Sequence, residues 1–252
     1  MTGATGFVAS HVVGQFLERG YRVRGTVRDF AKASWLVDDV FKSYAADGKF
    51  ELTRVVDLAA ANAFDEAVKG VSVIVHVASI VNFDPDPNKV IPQTALGASS
   101  IMAAALKEPS VREFVYTSSL VAATMPMPGN TTRVERDTWN DAALQLAWAP
   151  PPHAPGHGFI VYMASKVEAE RALWKFVEER KPQFNVNSVC ASSILGEPLN
   201  KSHTESPVAF VKHLCDGNTA IFNFIPASQL SRRPITSSAS QDSHRPSFWL
   251  AN

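Results

Sequence analysis

The sequence predicts an α/β fold in which parallel strands alternate with helices, and three observations support this. Short apolar segments typical of buried strands alternate with amphipathic helical segments along most of the chain. The run 71–78 is almost continuously apolar, as expected for a strand that is buried on both faces. A glycine-rich turn at the start of the chain leads directly into a helical pattern.

The individual elements follow from the spacing of apolar residues. A period near 3.6 residues predicts a helix, and a short β-rich run predicts a strand. The predicted helices are 8–19, 31–45, 59–69, 88–107 and 159–180. The predicted strands are 21–27, 50–56, 71–78, 113–117 and 186–190. Residues 124–158 are rich in proline, glycine, asparagine and threonine, so they are predicted to be mostly loop.

Composition excludes several classes of protein. The 24 Lys and Arg residues balance 24 Asp and Glu residues, so the chain has no basic excess that would favour nucleic acid as a partner. Two cysteines are too few for a disulfide framework or a thiolate metal site. Neither a run of about 18 apolar residues nor a secretory signal is evident, so we expect a cytoplasmic protein without a membrane span.

The glycine turn has the spacing of a dinucleotide-binding motif. Gly3 and Gly6 are followed by the small residue Ala9. The first glycine permits a tight turn, the second lets the backbone approach a pyrophosphate, and the small residue allows close helix packing. The following helix presents free N–H groups to the phosphates. This predicts a Rossmann-type, doubly wound parallel sheet; the alternative is a glycine-rich turn without a ligand.

The end of the next predicted strand indicates which cofactor is bound. Arg28 lies about 20 residues after the glycines, where many NAD sites place an acid that binds the ribose hydroxyls. A guanidinium suits a 2′-phosphate better, and Lys32 adds a second positive charge. We therefore predict NADP, with NAD less favoured. The alternative is that Arg28 is a solvated surface residue and Asp29 binds a ribose.

A tyrosine and a lysine four residues apart indicate proton-transfer chemistry. Tyr162 and Lys166 share one helix face. A nearby positive charge lowers the pKa of a phenol, which can then donate a proton to a carbonyl oxygen. Ser119 closely follows the predicted strand 113–117 at its carboxyl end, where its hydroxyl would hydrogen-bond the carbonyl, whereas Ser118 faces the opposite way. The alternatives are an ordinary helix pair and two serines that cap a turn.

These motifs resemble the extended short-chain dehydrogenase/reductase family, especially its dihydroflavonol-reductase-like branch with fungal and yeast aldehyde and ketone reductases. The similarity covers about residues 2–226 and rests on the following motifs: Thr2-Gly3-x-x-Gly6-x-x-Ala9, Thr26-Val27-Arg28-Asp29, His76-Val77-Ala78-Ser79, Thr117-Ser118-Ser119 and the segment from Tyr162 through Lys166 to Glu170.

The resemblance implies NADPH-dependent reduction of a small aldehyde or ketone. The implied catalytic residues are Ser119, Tyr162 and Lys166, of which the last two also meet the cofactor. The other implied cofactor contacts are Gly3, Gly6, Phe7 and Val8 at the pyrophosphate, Arg28 and Lys32 at the 2′-phosphate, Asp57 and Leu58 at the adenine, and Val77, Ala78 and Ser79 on the ribose side.

The chain also departs from this family. The family's first strand is missing before Thr2, and the C-terminal substrate lobe is incomplete, which suggests a shortened or misread gene product. We expect a cofactor-binding domain at 1–190, a remnant of the substrate lobe at 191–227 and a disordered tail at 228–252. Two other functions remain open: an NAD-dependent nucleotide-sugar epimerase or dehydratase, and an inactive cofactor-binding relic. The oligomeric state is not predicted.

Overall fold

The computed structural model describes residues 1–125, 133–153, 155–205, 213, 215–217 and 247–250. Its helices are α1 Phe7–Glu18, α2 Phe30–Trp35, α3 Lys42–Ala46, α4 Pro87–Lys107, α5 Asp141–Ala147 and α6 His157–Arg180. Its strands are β1 Val23–Val27, β2 Phe50–Arg54, β3 Val73–His76, β4 Glu113–Ser119, β5 Asn185–Ala191 and β6 Ser247–Leu250. A π-helical stretch, Leu36–Val40, connects α2 to α3, and short 3₁₀ helices form at Leu120–Ala122 and Lys201–Glu205.

The strands form two sheets with parallel pairing. β1 pairs with β2 in the register Val23 to Phe50 through Val27 to Arg54. The second sheet has the order β3-β4-β5-β6, in which β5 pairs in parallel with both β4 and β6. The predicted α/β fold with parallel strands is confirmed.

The chain divides into two compact units that interleave along the sequence. The first comprises Met1–Asp57, Val75–Ala78 and Ser193–Ile225, and the second comprises Leu58–Ile74, Ser79–Ser192 and Pro226–Asn252. These units are defined by spatial contacts, and their boundaries differ from the domain ranges 1–190, 191–227 and 228–252 expected from the sequence. Those domain ranges stay predictions.

The residues before the glycine turn hydrogen-bond in the manner of a short strand. The Thr26 amide donates to the Met1 carbonyl at 2.9 Å, and the Ala4 amide donates to the Thr26 carbonyl at 3.0 Å. On the other side, the Thr2 amide donates to the Val75 carbonyl of β3 at 3.0 Å. Residues 1–4 therefore satisfy backbone groups of β1 and β3, although the sequence predicts that the family's first strand is missing.

Two segments differ from the sequence-based prediction for local reasons. The predicted helix 59–69 is a series of turns, since Asn62 adopts a left-handed φ of 60° and several amides there bond three residues back. The predicted loop 124–158 contains α5, whose N-terminus is capped by the Asn140 side chain accepting from the Ala143 amide.

The predicted disordered tail 228–252 lies outside the described residues except for 247–250. These four residues form β6, which pairs with β5 from Ser188–Ser247 to Ala191–Leu250. For them the structure has a strand in place of the expected disorder.

Each unit has its own hydrophobic core. In the first unit, α1 packs Val13 and Leu17 against β1, β2 and the π-helical stretch. In the second unit, Val161 and Ala164 of α6 pack against Val90 and Ile91 of α4. In the described parts of the chain, no helix combines the length and the hydropathy that crossing a membrane requires.

Candidate active site

The glycine turn of the first unit has a conformation that requires glycine. Gly3 has a φ of +65°, and a Cβ on it would lie 3.1 Å from the Cβ of Ala78. The Gly6 amide donates to the Gly3 carbonyl at 2.8 Å, and a Cβ on Gly6 would lie 3.2 Å from that same oxygen. The turn is therefore closed tightly against the end of β3, within the same unit.

A single hydroxyl fixes the residues after β3 beside this turn. The Thr2 Oγ1 accepts hydrogen bonds from the Val77 and Ala78 amides, each at 3.0 Å. Both oxygen lone pairs are then used, so the hydroxyl proton points to the His76 Nδ1 at 2.9 Å. Sequence reasoning missed this role of Thr2 and His76, since it depends on which strand end lies beside the turn.

The start of α1 fits a phosphate group. Gly6 is the N-cap, no side chain caps the helix, and the first turn, with Phe7 and Val8, holds no acidic residue. Its backbone N–H groups and helix dipole therefore favour an anion.

In the second unit, the buried Ser79 hydroxyl has no hydrogen-bond partner among the described residues. Buried polar atoms are almost always paired, so this one is consistent with a ligand contact.

The charged residues after β1 are exposed, and the aspartate has a structural task. Arg28 and Lys32 both lie at the surface. The Asp29 Oδ1 accepts from the amides of Ala31 at 2.8 Å and Lys32 at 3.4 Å, so it caps α2. The Arg54 side chain, which the sequence analysis did not single out, donates to the Arg28 carbonyl at 3.3 Å and brings a third positive charge to this end of β1 and β2.

The two residues predicted to contact the adenine, Asp57 and Leu58, belong to different units. Asp57 ends the first range of the first unit and is exposed. Leu58 begins the second unit and is partly buried, with its Cβ 3.5 Å from the position that a Cβ on Gly97 would take.

The segment expected to be a remnant of a substrate lobe contacts the glycine turn within the first unit. The His203 Nε2 donates to the Thr5 carbonyl at 2.9 Å, and the His203 ring lies edge-on to the rings of Phe7 and Trp35. The His11 ring nitrogen Nε2 lies 2.8 Å from the Glu197 carbonyl. No local sequence pattern marks these contacts, because they join residues almost 200 positions apart.

In the second unit, the structure brings the three predicted catalytic side chains together. Ser119 ends β4, and Tyr162 and Lys166 lie one turn apart on α6. The Ser119 side chain lies within hydrogen-bonding reach of the Tyr162 phenol. The Lys166 Nζ lies 6.0 Å from the centroid of the Tyr162 ring and donates to the Thr117 carbonyl at 3.4 Å.

The Ser119 hydroxyl also has a local structural role. It accepts from the Val121 amide at 3.4 Å and so caps the 3₁₀ helix Leu120–Ala122, and it donates to the Ala191 carbonyl at 3.5 Å. The capping role that the sequence left open as an alternative is thus present beside the contact with Tyr162. These bonds hold the hydroxyl at the end of β4, where it faces the phenol.

Burial controls the protonation of both α6 side chains. Burial raises the pKa of Tyr162 above its usual value, and a hydrogen bond with Ser119 offsets part of this rise. Burial also lowers the pKa of Lys166 to about 8. The direction for Tyr162 is opposite to the one expected from a neighbouring ammonium alone. The reason is that the phenol loses hydration in this site, while Lys166 itself is close to losing its charge at mildly alkaline pH.

Sequence reasoning missed a buried carboxylate next to these residues. Ser118 faces the opposite way from Ser119, as predicted, and its hydroxyl donates to Glu170 of α6 at 2.5 Å. Glu170 lies one turn beyond Lys166 and is 1 % exposed. It falls within the motif that carries the family resemblance, and its spacing of four from Lys166 is the signal that could have identified it.

Aromatic side chains surround Tyr162. The Phe83 ring lies 5.5 Å from the Tyr162 ring in an edge-on arrangement, and the Phe159 ring stacks at 6.1 Å. Phe83 has a left-handed φ of 50°, and its carbonyl oxygen would lie 2.0 Å from a Cβ on Gly158. The loop carrying Phe83 can approach α6 only because residue 158 is a glycine. Residues 126–132 and 154 of the predicted loop 124–158 lie outside the described residues.

Known proteins resemble this chain over most of its length. An NAD-dependent epimerase/dehydratase, terH, from Aspergillus terreus is 41% identical over 82% of this chain and 60% of its own length. Aldehyde reductase 2 from Sporidiobolus salmonicolor is 40% identical over 78% of this chain and 57% of its own length. The crystal structure of Gre2 in complex with NADPH from Candida albicans is 27% identical, with a TM-score of 0.68, over 80% of this chain and 59% of that one.

The chain thus spans about three fifths of the length of the relatives it matches. The structural neighbours confirm the predicted Rossmann-type fold. Because residues 1–142, more than half of the chain, match the 3-beta hydroxysteroid dehydrogenase/isomerase family, the chain belongs to this family of extended short-chain dehydrogenases/reductases.

Proposed function

We propose that the chain carries the active site of an NADPH-dependent reductase that converts a small aldehyde or ketone to an alcohol. The observation that carries this proposal is the contact between the Ser119 hydroxyl and the Tyr162 phenol, with Lys166 one helical turn away. A positioned hydroxyl, a proton donor and a cation form the set that protonating a carbonyl oxygen requires.

The residues of the first unit fit the phosphate-bearing part of NADPH. Gly3, Gly6 and the uncapped start of α1 at Phe7 and Val8 would hold the pyrophosphate. Arg28 and Lys32 would hold the 2′-phosphate, and Arg54 would add a further positive charge there. In the first unit, Val77 and Ala78 would line the ribose side and Asp57 would lie at the adenine; in the second unit, Ser79 would line the ribose side and Leu58 would lie at the adenine.

The cap of α2 supports NADPH over NADH. An NAD site commonly uses an acid after this strand to bind the ribose hydroxyls. Here Oδ1 of Asp29 already accepts from the amides of Ala31 and Lys32, so this acid caps α2, and the Arg28 guanidinium beside it is exposed. A guanidinium pairs with a phosphate but gains little from a neutral hydroxyl.

Each catalytic side chain has a separate task. When bound, the nicotinamide supplies the hydride that the carbonyl carbon receives. The Tyr162 phenol donates its proton to the carbonyl oxygen as negative charge develops there, and its raised pKa keeps it protonated at neutral pH. The Ser119 hydroxyl donates a hydrogen bond to the same oxygen and orients it. The Lys166 ammonium stabilises the phenolate that remains and binds the ribose hydroxyls.

The surroundings of Tyr162 support an apolar carbonyl substrate. Phe83 is 48 % exposed and, with Phe159, presents aromatic surface beside the phenol. The name of one relative, Aldehyde reductase 2, is consistent with this substrate class.

The proposal is tested by an NADPH-oxidation screen over aromatic aldehydes, keto esters and aryl ketones. We expect turnover with at least one carbonyl class, and we expect Tyr162→Phe to abolish it because the proton donor is lost. Tyr21→Phe is the matched control, since Tyr21 is 53 % exposed and lies in the first unit. Both variants should keep the rise in melting temperature that NADPH causes in the wild type. Full activity of Tyr162→Phe would overturn the mechanism.

A second function is favoured by one comparison. The relative terH is named an NAD-dependent epimerase/dehydratase. Such an enzyme would retain NAD and return its hydride, so it would copurify with NAD and show no net NADPH oxidation. An inactive relic differs from both, because neither nucleotide would raise its melting temperature.

A further inference from the structure

The carboxylate of Glu170 is buried and held by groups from three elements. Its Oε2 accepts from the hydroxyl of Ser118 on β4 and, at 3.8 Å, from the thiol of Cys190 on β5. Its Oε1 accepts from the indole N–H of Trp174, one turn further along α6, at 3.2 Å. Glutamate is almost never fully buried unless it is paired. These neutral donors fix the carboxylate in place but do not balance its charge.

Lys166 supplies the opposite charge. It is 4 % exposed and lies one turn before Glu170 on the same helix face. The ionisable groups around the two side chains are Tyr162 on α6, Tyr116 on β4 and Cys190 on β5. Burial raises the pKa of both phenols, and a thiol is ordinarily neutral near pH 7. The ammonium and the carboxylate are therefore the two charges of this cluster at neutral pH.

We propose that Glu170 is a positioning residue that acts through Lys166, supplying the counter-charge that keeps the ammonium protonated beside Tyr162. Burial alone would discharge the lysine, and the negative charge of Glu170 opposes this. Ser118 and Trp174 hold the carboxylate where it can do so. The consequence for turnover rests on the proposed reductase function, whereas the pairing of the two charges does not.

Glu170→Gln removes the charge and keeps the size; its amide oxygen can accept from the Trp174 indole, and its NH2 group can donate to the Ser118 hydroxyl, which can accept as well as donate. The pKa of Lys166 should then fall from about 8 by about one unit, as for a buried group that loses an opposite charge one turn away. The alkaline limb of kcat/KM against pH should move down by the same amount. At about pH 8.5 the variant should lose roughly eightfold against the wild type, and at about pH 6 almost nothing.

Two further variants separate charge from structure. Glu170→Asp keeps the charge, so its alkaline limb should stay near that of the wild type even if its rate is lower at every pH. Glu178→Gln makes the same chemical change two turns further along α6, at an exposed position, and should leave the profile unchanged. An equal loss at every pH in Glu170→Gln would indicate a purely structural role and would overturn the proposal.

A double-mutant cycle tests the pairing without any activity. In the wild-type background, Glu170→Gln leaves a buried ammonium without its partner, so the melting temperature at pH 7 should fall. In a Lys166→Met background, the same change removes an unbalanced buried carboxylate, so the melting temperature should rise. The same shift in both backgrounds would refute the pairing.

The cycle also covers two other outcomes. If Glu170→Gln fails to fold while the double variant folds, the pairing is supported; if both fail, it is refuted. If the wild type reduces no carbonyl, the proposed reductase function fails, and the cycle alone decides whether Glu170 and Lys166 are coupled.

Discussion

Gly158→Ala tests whether the loop bearing Phe83 is held against α6 as the structure describes. A Cβ at this position would lie 2.0 Å from the Phe83 carbonyl oxygen and 2.8 Å from its carbonyl carbon. Both atoms are backbone, so no side-chain rotation relieves the contact, and the left-handed φ of Phe83 limits how its loop can adjust. Either the loop moves away from α6 or the start of the helix shifts.

The size of the effect follows from two opposing terms. Overpacking a close contact costs about 1–3 kcal/mol, and a clash with backbone places this one near the upper value. Replacing a helical glycine with alanine returns up to about 1 kcal/mol. A net loss of about 2 kcal/mol should lower the melting temperature of a protein of this size by about 4–8 °C.

Gly97→Ala is the matched control on the neighbouring helix α4. A Cβ there would lie 3.5 Å from the Cβ of Leu58, which is an ordinary contact. We therefore expect a gain of about 0.5–1 kcal/mol, because only the helix propensity changes. Thermal unfolding followed by circular dichroism compares the two variants with the wild type. A melting temperature of Gly158→Ala at or above that of the wild type would refute the close approach of the Phe83 loop.

Two further predictions concern charge. Arg28→Ala should lower the ratio of kcat/KM for NADPH to kcat/KM for NADH by about 10–100-fold, because a charge-assisted phosphate contact is lost. Arg22→Ala, at another exposed arginine, is the control. An unchanged ratio in Arg28→Ala would exclude Arg28 from the 2′-phosphate site. The pKa of Lys166 is about 8 in the folded protein and 10.5 ordinarily. Between these pH values the unfolded state binds a proton that the native state has released. The free energy of unfolding should therefore increase by up to about 3 kcal/mol as the pH rises through this interval. Urea unfolding at several pH values should show this rise in the wild type and not in Lys166→Met; identical pH dependence in both proteins would contradict the burial of the ammonium.

The sequence is most informative where the determining pattern is local. Tyr162 and Lys166 are four residues apart in a strongly helical segment, so their shared face follows from helix geometry alone. The alternation of strand residues also predicts that Ser118 and Ser119 point in opposite directions. The predicted helix 59–69 does not form, because Asn62 adopts a left-handed conformation that the apolar periodicity of the sequence does not indicate.

Contacts between distant segments are not predictable in this way. The Thr2 hydroxyl meets the Ala78 amide, and His203 meets the Thr5 carbonyl, across 76 and 198 positions of the chain. Neither contact leaves a periodic or compositional signal. The direction of the Tyr162 pKa was also out of reach, since it depends on how much water burial removes from the phenol and not on the identity of its neighbour four residues away.

The central claim is that the second unit protonates a carbonyl oxygen through Tyr162 while the carbonyl carbon receives a hydride from NADPH. Reduction with NADPH dideuterated at C4 of the nicotinamide, followed by mass spectrometry of the alcohol, measures this directly. We predict one deuterium per product molecule on the former carbonyl carbon, and no alcohol from Tyr162→Phe. An alcohol without deuterium, or an undiminished labelled product from the phenylalanine variant, would contradict it.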